Sequence, residues 1–142
     1  MTQEEKELLL KDLSARLSYG VKMRCGGVLI GKIHQRYMKE ICDTTLYGIT
    51  EVYDNCYAIN AGYDLIETKP YLRSMGSMTE EERKEYNEYL FHGASIGLMS
   101  NTETACELID WLNKKMFDYR GLIPMRLALE APEGMYNIIK GE

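Results

Sequence analysis

Val21–His34, with the sequence VKMRCGGVLIGKIH, decides what kind of molecule this is. Two short runs rich in strand-favouring side chains are separated by Gly26-Gly27, a pairing that reads as a β-hairpin because glycine supplies the backbone conformations a two-residue turn needs. The same residues also meet the spacing of a phosphate loop, from Gly26 through Gly31-Lys32. That reading fails at Ile33, where a magnesium-binding hydroxyl is required, and at Lys32, which sits in a β-branched run instead of opening a helix. Lys32 is therefore not expected to bind phosphate, and the hairpin makes the middle of the chain a sheet.

Outward from the hairpin, the β character continues to Leu72. Ile41–Cys42, Tyr47–Tyr53, Cys56–Ile59 and Asp64–Thr68 read as further short strands, with Asp54-Asn55 as turn chemistry and Pro70 closing the last one. On the amino-terminal side, Thr2 with Glu5 forms a capping signature ahead of Leu9, Leu10, Leu13 and Leu17, which predicts a helix over 1–20 stopped by Gly20. On the carboxyl-terminal side the same signature recurs at Thr79 with Glu82 and at Ser100 with Glu103. These predict helices over 79–91, broken by Gly93 and Gly97, and over 101–117, with Ala105, Leu108, Ile109, Leu112 and Met116 as the buried stripe. Trp111 falls on the flank of that stripe, to pack under Leu122–Leu129 or to meet a partner. Residues 122–142 read as an irregular tail. The expected fold is α+β: an N-terminal helix, an antiparallel curled sheet or small β-barrel over 21–72, and two C-terminal helices, in a single domain over 1–142.

Composition narrows the function classes. A hydrophobic fraction of 45% supports a core, and a net charge of −5 opposes non-specific binding to nucleic acid or anionic membrane. The polar start, Thr2-Gln3-Glu4-Glu5-Lys6-Glu7, is no export signal, and no run is apolar enough to span a membrane, so a cytoplasmic location is expected. Cys25, Cys42, Cys56 and Cys106 form no C-x-x-C pair and read as thiols. They lack the short paired spacings of a zinc site even with His34, and no context marks one as a nucleophile beside His34 or His92. Glu51, Asp54, Asp64 and Glu67 read as turn and strand-edge acids. No catalytic residue, metal or cofactor is assigned.

Three segments carry a resemblance: Met1–Lys22; Lys69-Pro70-Tyr71-Leu72-Arg73 with Ser77-Met78-Thr79-Glu80-Glu81-Glu82; and Asp110-Trp111-Leu112-Asn113, Phe117-Asp118-Tyr119-Arg120-Gly121-Leu122-Ile123 and Leu127–Tyr136. Together they resemble small uncharacterised proteins of phages, prophages and mobile elements of gut Bacteroidales. The resemblance covers both ends of the chain and leaves 21–66 aside. Similar chains often have His before the Phe of the Phe-Asp-Tyr-Arg segment, where this one has Met116, so a mechanism needing an imidazole there is not expected. The resemblance implies a bacterial host cytoplasm and brings no catalytic residues.

Eleven tyrosines against two phenylalanines favour rings with a polar tip, which suit interfaces. The expectation is a non-enzymatic interaction protein of a phage or mobile element that binds a host or phage macromolecule, a protein above all, with countering a host defence as one form this could take. Its partner-binding residues are Tyr37, Tyr47, Tyr53 and Tyr57, with Trp111, Tyr119 and Arg120 as the next place to look. Nucleic acid and membrane are not expected partners, and the oligomeric state is left open. The alternative is a small-ligand, nucleotide-type binder or hydrolase with a cleft near Lys32, Arg36 or Arg73.

Overall fold

In the computed structural model, the residues described are 1–30, 35–36, 42–53, 56–60, 63–66, 68–95 and 101–136. The chain begins with α1 (Gln3–Arg16), whose start is fixed by Thr2 Oγ1 accepting the Glu5 N–H at 3.1 Å. A 3₁₀ turn over Leu17–Tyr19 ends at Gly20, whose φ of 78° is the left-handed geometry expected of a helix stop. Leu9 and Leu13 are wholly buried, each contributing about 1.5–3 kcal/mol over an exposed position. Asp12 and Arg16, on the same side of the helix, are just as buried.

Among the described residues, eight short strands form two four-stranded sheets. They are β1 (Lys22–Cys25), β2 (Gly27–Ile30), β3 (Gln35–Arg36), β4 (Cys42–Thr45), β5 (Cys56–Asn60), β6 (Tyr63–Ile66), β7 (Lys69–Leu72) and β8 (Leu129–Glu130). One sheet has the order β4-β1-β7-β8 and is mixed, since β7 and β8 run parallel; the other has the order β3-β2-β6-β5 and is antiparallel. The fold is α+β, and neither sheet closes among the described residues, so the barrel alternative does not hold.

The hairpin expectation is overturned. β1 and β2 do not pair with each other: β1 lies between β4 and β7, and β2 between β3 and β6. Gly26-Gly27 is a corner at which one strand passes from sheet to sheet. Gly26 donates to Ile66 O at 3.0 Å while Gly27 pairs with Ile66, which ties the corner to the end of β6. Glycines suit a tight bend in a strand as well as a turn, so local sequence could not separate the two.

Other boundaries shift. Tyr47–Tyr53 forms no strand, and Ile41 lies outside the described residues. Pro70 does not close a strand but sits inside β7, opposite Met23; β8 joins only from Tyr71, so Pro70 stands where a single flank is paired and its missing N–H is tolerated. The tail is less irregular than expected, because β8 and the bond from Ala131 N to Leu72 O, at 2.7 Å, tie it to the sheet.

α2 (Glu80–Ser95) opens with a reciprocal cap. Glu82 N donates to Thr79 Oγ1 at 3.1 Å and Thr79 N to Glu82 Oε1 at 3.0 Å. The helix runs through Gly93, where a break was expected; a single glycine costs about 1 kcal/mol, which a helix of this length absorbs. Gly97 and Ser100 lie outside the described residues. α3 (Asn101–Lys114) ends earlier than 117, in a Schellman motif: Phe117 N reaches back to Leu112 O and Met116 N to Asn113 O, with Met116 at φ 63°.

The main core gathers Leu9 and Leu13 of α1, Val21 just before β1, Met23 and Cys25 in it, and Leu46, Leu65, Leu72, Met116, Leu122 and Leu127. A second cluster, Trp111, Leu112 and Phe117, packs with Met75, Met78, Tyr86, Tyr89, Leu108 and Tyr119 between α2 and α3. The expected α3 stripe is rotated, because Ala105 and Ile109 are exposed while Trp111 is buried. The large ring takes the inner face since Tyr86, Tyr89 and Phe117 surround it, with centroids 6.4, 6.0 and 5.6 Å away. Trp111 thus packs against α2, not under Leu122–Leu129.

Candidate functional site

After β7 the chain turns through Ser74 and a 3₁₀ turn, Met75–Ser77, into the Thr79 cap of α2. The segment after β8 folds over this connection, turning at Pro132–Met135 with Gly134 at φ 83°. Between them lies a cleft of about 610 Å³, with Ser74, Ser77 and Thr79 on one wall, Glu130, Glu133 and Tyr136 on the other, and Arg73 beneath. Ser74 Oγ closes one end by donating to Glu130 Oε1 at 3.1 Å.

The charges of the cleft are unequally available. Arg73 donates through Nη1 and Nη2 to the two oxygens of Glu82, at 2.8 and 2.7 Å, and through Nη1 to Lys115 O at 3.3 Å. Its guanidinium also lies 4.2 Å from the Phe117 ring centroid. Burial of Glu82 works to raise its pKa, but the Arg73 hydrogen bonds, the Thr79 N–H and the charges of Arg73 and Lys115 outweigh it and hold the carboxyl at about 2. Arg73 is spent inside the protein, and what the cleft offers outward is the carboxylates of Glu130 and Glu133. The Tyr136 hydroxyl, donating to Tyr71 O at 2.6 Å and accepting from Lys22 N at 2.8 Å, bridges β7 and β1. Burial first, with Tyr71 adding and the Lys22 N–H and Arg16 opposing, raises its pKa to about 12.

Behind the cleft, Phe117–Ile123 forms a junction. Arg73 and Phe117 form a parallel bridge, with Arg73 N donating to Met116 O and Asp118 N to Arg73 O. The Asp118 carboxylate accepts the N–H groups of Leu122 and Ile123, both at 2.8 Å. Arg16 reaches from α1 to donate to Phe117 O at 2.6 Å and is held by Asp12 at 2.9 and 3.2 Å; its Nη1 makes no hydrogen bond among the described residues.

The expected partner-binding residues separate into two groups. Tyr47 and Tyr53 lie on the connection after β4, with 72% and 43% of their surface exposed, and the Tyr53 hydroxyl donates to Glu51 at 3.0 Å. Tyr37 lies outside the described residues, and Tyr57 lies in β5 with its side chain outside them. At the helical end, Trp111 is 8% exposed and its indole N–H is taken by Glu85 at 2.7 Å. Tyr119 donates to Asn113 at 2.9 Å, and Arg120 donates to Asp12 and to the Tyr119 hydroxyl, both at 3.2 Å. This second group is brought together, but by contacts that build the protein. Of the basic residues named for the alternative reading, Arg73 lines the cleft, Arg36 lies in β3 and Lys32 is outside the described residues.

Ser74, Ser77, Glu130, Glu133 and Tyr136 were missed. Only the Pro132–Gly134 turn could have hinted that the tail folds back. Among the described residues no cluster of three His, Cys, Asp or Glu side chains could hold a metal ion, and no helix is long and apolar enough to cross a membrane. Comparison with protein-family models, curated proteins and solved structures finds no match for this chain.

Proposed function

We propose that the chain is a non-enzymatic interaction protein, of phage or mobile-element type, that binds a host or phage protein through Tyr47 and Tyr53. The observation that carries this is the outward exposure of these two rings, against the burial of Trp111. Tyrosines held on a short connection give a partner large contact area with few rotors to freeze, and the net charge of −5 favours a partner with a basic face. Countering a host defence is one role such binding would serve. Tyr47→Ala and Tyr53→Ala, compared with the wild type in capture from a Bacteroidales lysate, test the reading. Each should weaken recovery of the same captured protein by about thirtyfold in affinity, as for an anchor worth about 2 kcal/mol, with thermal stability unchanged. Undiminished capture, or loss of capture only where the protein also unfolds, would reject it.

The cleft favours a second reading, since its volume is within the roughly 300–1,000 Å³ of small-molecule sites. With Arg73 committed to Glu82 and the lining carboxylates of Glu130 and Glu133 outward, a cationic ligand suits it better than a nucleotide. Thermal stabilisation by a polyamine but not by nucleotides, abolished in Glu133→Gln, would favour this reading over the first.

A further inference from the structure

Cys25 and Cys42 are seventeen positions apart in the sequence but are direct Cα partners across the β1–β4 pair. Val21, Met23 and Cys25 are the buried positions of their run, and Lys22 and Arg24 are not. Opposed positions of an antiparallel pair share a face, so positions 46, 44 and 42 share the sheet face of 21, 23 and 25. Leu46 N donates to Val21 O at 2.9 Å, which makes 21 and 46 a hydrogen-bonded pair. By the alternation of an antiparallel ladder, Met23–Thr44 and Cys25–Cys42 are hydrogen-bonded pairs too, with Cα atoms about 5.5 Å apart. That separation is within the range a disulfide spans, about 4.4–6.8 Å. Opposed Cβ atoms in such pairs are somewhat further apart than a relaxed disulfide sets them, so the bond would be drawn tight and more easily reduced than a structural one.

We propose that Cys25 and Cys42 are a reversible redox pair, which peroxide converts to a cross-strand disulfide tying the edge strand β4 to β1. Among the described residues β4 is the outer strand of its sheet and β1 an inner one, and Cys25 is fully buried with its Sγ donating to Gly27 O at 2.8 Å. The thiolate of one cysteine attacks one peroxide oxygen, the O–O bond breaks, and a sulfenic acid and hydroxide result. The other cysteine then attacks that sulfur, the S–S bond forms, and the sulfenic oxygen leaves as water. Two thiols give up two protons and two electrons, and one peroxide becomes two waters. A small thiol reductant reverses the change by exchange through a mixed disulfide. Tyr47 stands two residues beyond the end of β4, so the bond would also fix the root of the tyrosine-bearing connection. The redox pair itself does not depend on the partner reading.

The test uses the reduced full-length protein in its native state, treated with hydrogen peroxide, quenched in acid, unfolded and alkylated. Two of the four thiols should be lost to alkylation, without chain dimers, and a dithiol reductant should restore both. Trypsin cuts at Lys32, Arg36 and Lys39, which separates Cys25 from Cys42, and a further cut after Glu51 separates Cys42 from Cys56. The linked peptide should join Cys25 to Cys42. In Cys42→Ser, and in Cys42→Ala as a second replacement, Cys25 should stay alkylatable, while Cys106→Ser should leave the link intact. The wild-type map decides by itself if the Cys42 variants fold poorly. Cys25 found alkylatable after treatment, linked to a cysteine other than Cys42, or oxidised to sulfinic acid without a link would overturn the proposal.

Discussion

Glu82 does two tasks with one carboxylate, capping α2 and holding Arg73 in the core, and acid should reveal it. Its folded pKa, about 2, is depressed below the ordinary 4.5. The stability it contributes is therefore present above about pH 4.5 and lost as the pH falls from there toward 2. Glu82→Gln, which keeps the shape but not the charge, should be less stable at neutral pH and show a flatter loss of stability across that window in urea titrations at stepped pH. Tyr136 works at the other end of the scale. Its folded pKa, about 12, lies above the ordinary 10, so its contribution is complete below pH 10 and drains away as the pH rises toward 12. Tyr136→Phe should remove that alkaline dependence and cost about 1–3 kcal/mol at neutral pH, because the Lys22 N–H and Tyr71 C=O both lose their partner. The cap was legible in the sequence because Thr79 and Glu82 lie three residues apart. Tyr136 was not, because its partners lie 65 and 114 residues away along the chain.

Among the elements, α3 shows how far periodicity carries. Its existence was readable from spaced apolar residues, but its inner face was not. Ala105 and Ile109 fit the stripe as well as Trp111 did not, and only the rings of α2 decide that Trp111 turns inward. Its end holds a second surprise, a buried methionine at the left-handed position that glycine usually fills. Met116→Gly would relieve about 1 kcal/mol of backbone strain and forfeit about 2–5 kcal/mol of buried side chain. The loss wins: a net destabilisation of about 1–4 kcal/mol is expected from denaturant unfolding, with α3 retained in far-ultraviolet dichroism. In the strands, the β character of 22–25, 27–30, 56–60 and 63–66 was legible, whereas pairing was not, since two glycines between β-rich runs serve a corner as well as a turn. The cleft was invisible for a related reason: its walls, Ser74 and Glu130, are 56 residues apart.

At the scale of the whole molecule, α1 and the segment that follows α3 meet at one polar junction, Asp12–Arg16–Phe117–Arg120, rather than on apolar contacts alone. An Asp and an Arg four apart on a helix read from sequence as a solvated surface pair, which is why the junction went unforeseen. Both side chains are fully buried, and removing one member of a buried pair leaves the other uncompensated. Asp12→Ala should accordingly cost about 3–5 kcal/mol in chemical denaturation, far more than an exposed ion pair would. The junction also bears on how the protein is made. Arg16 finds its acceptor on Phe117, 101 residues further along the chain, and Asp12 its second cation on Arg120, 108 residues further. At about 5–20 residues per second, roughly 5–20 s separate the synthesis of α1 from that of these partners. A helix of 14 residues is marginal in water on its own, so α1 is held in place only once the turn after α3 has been made.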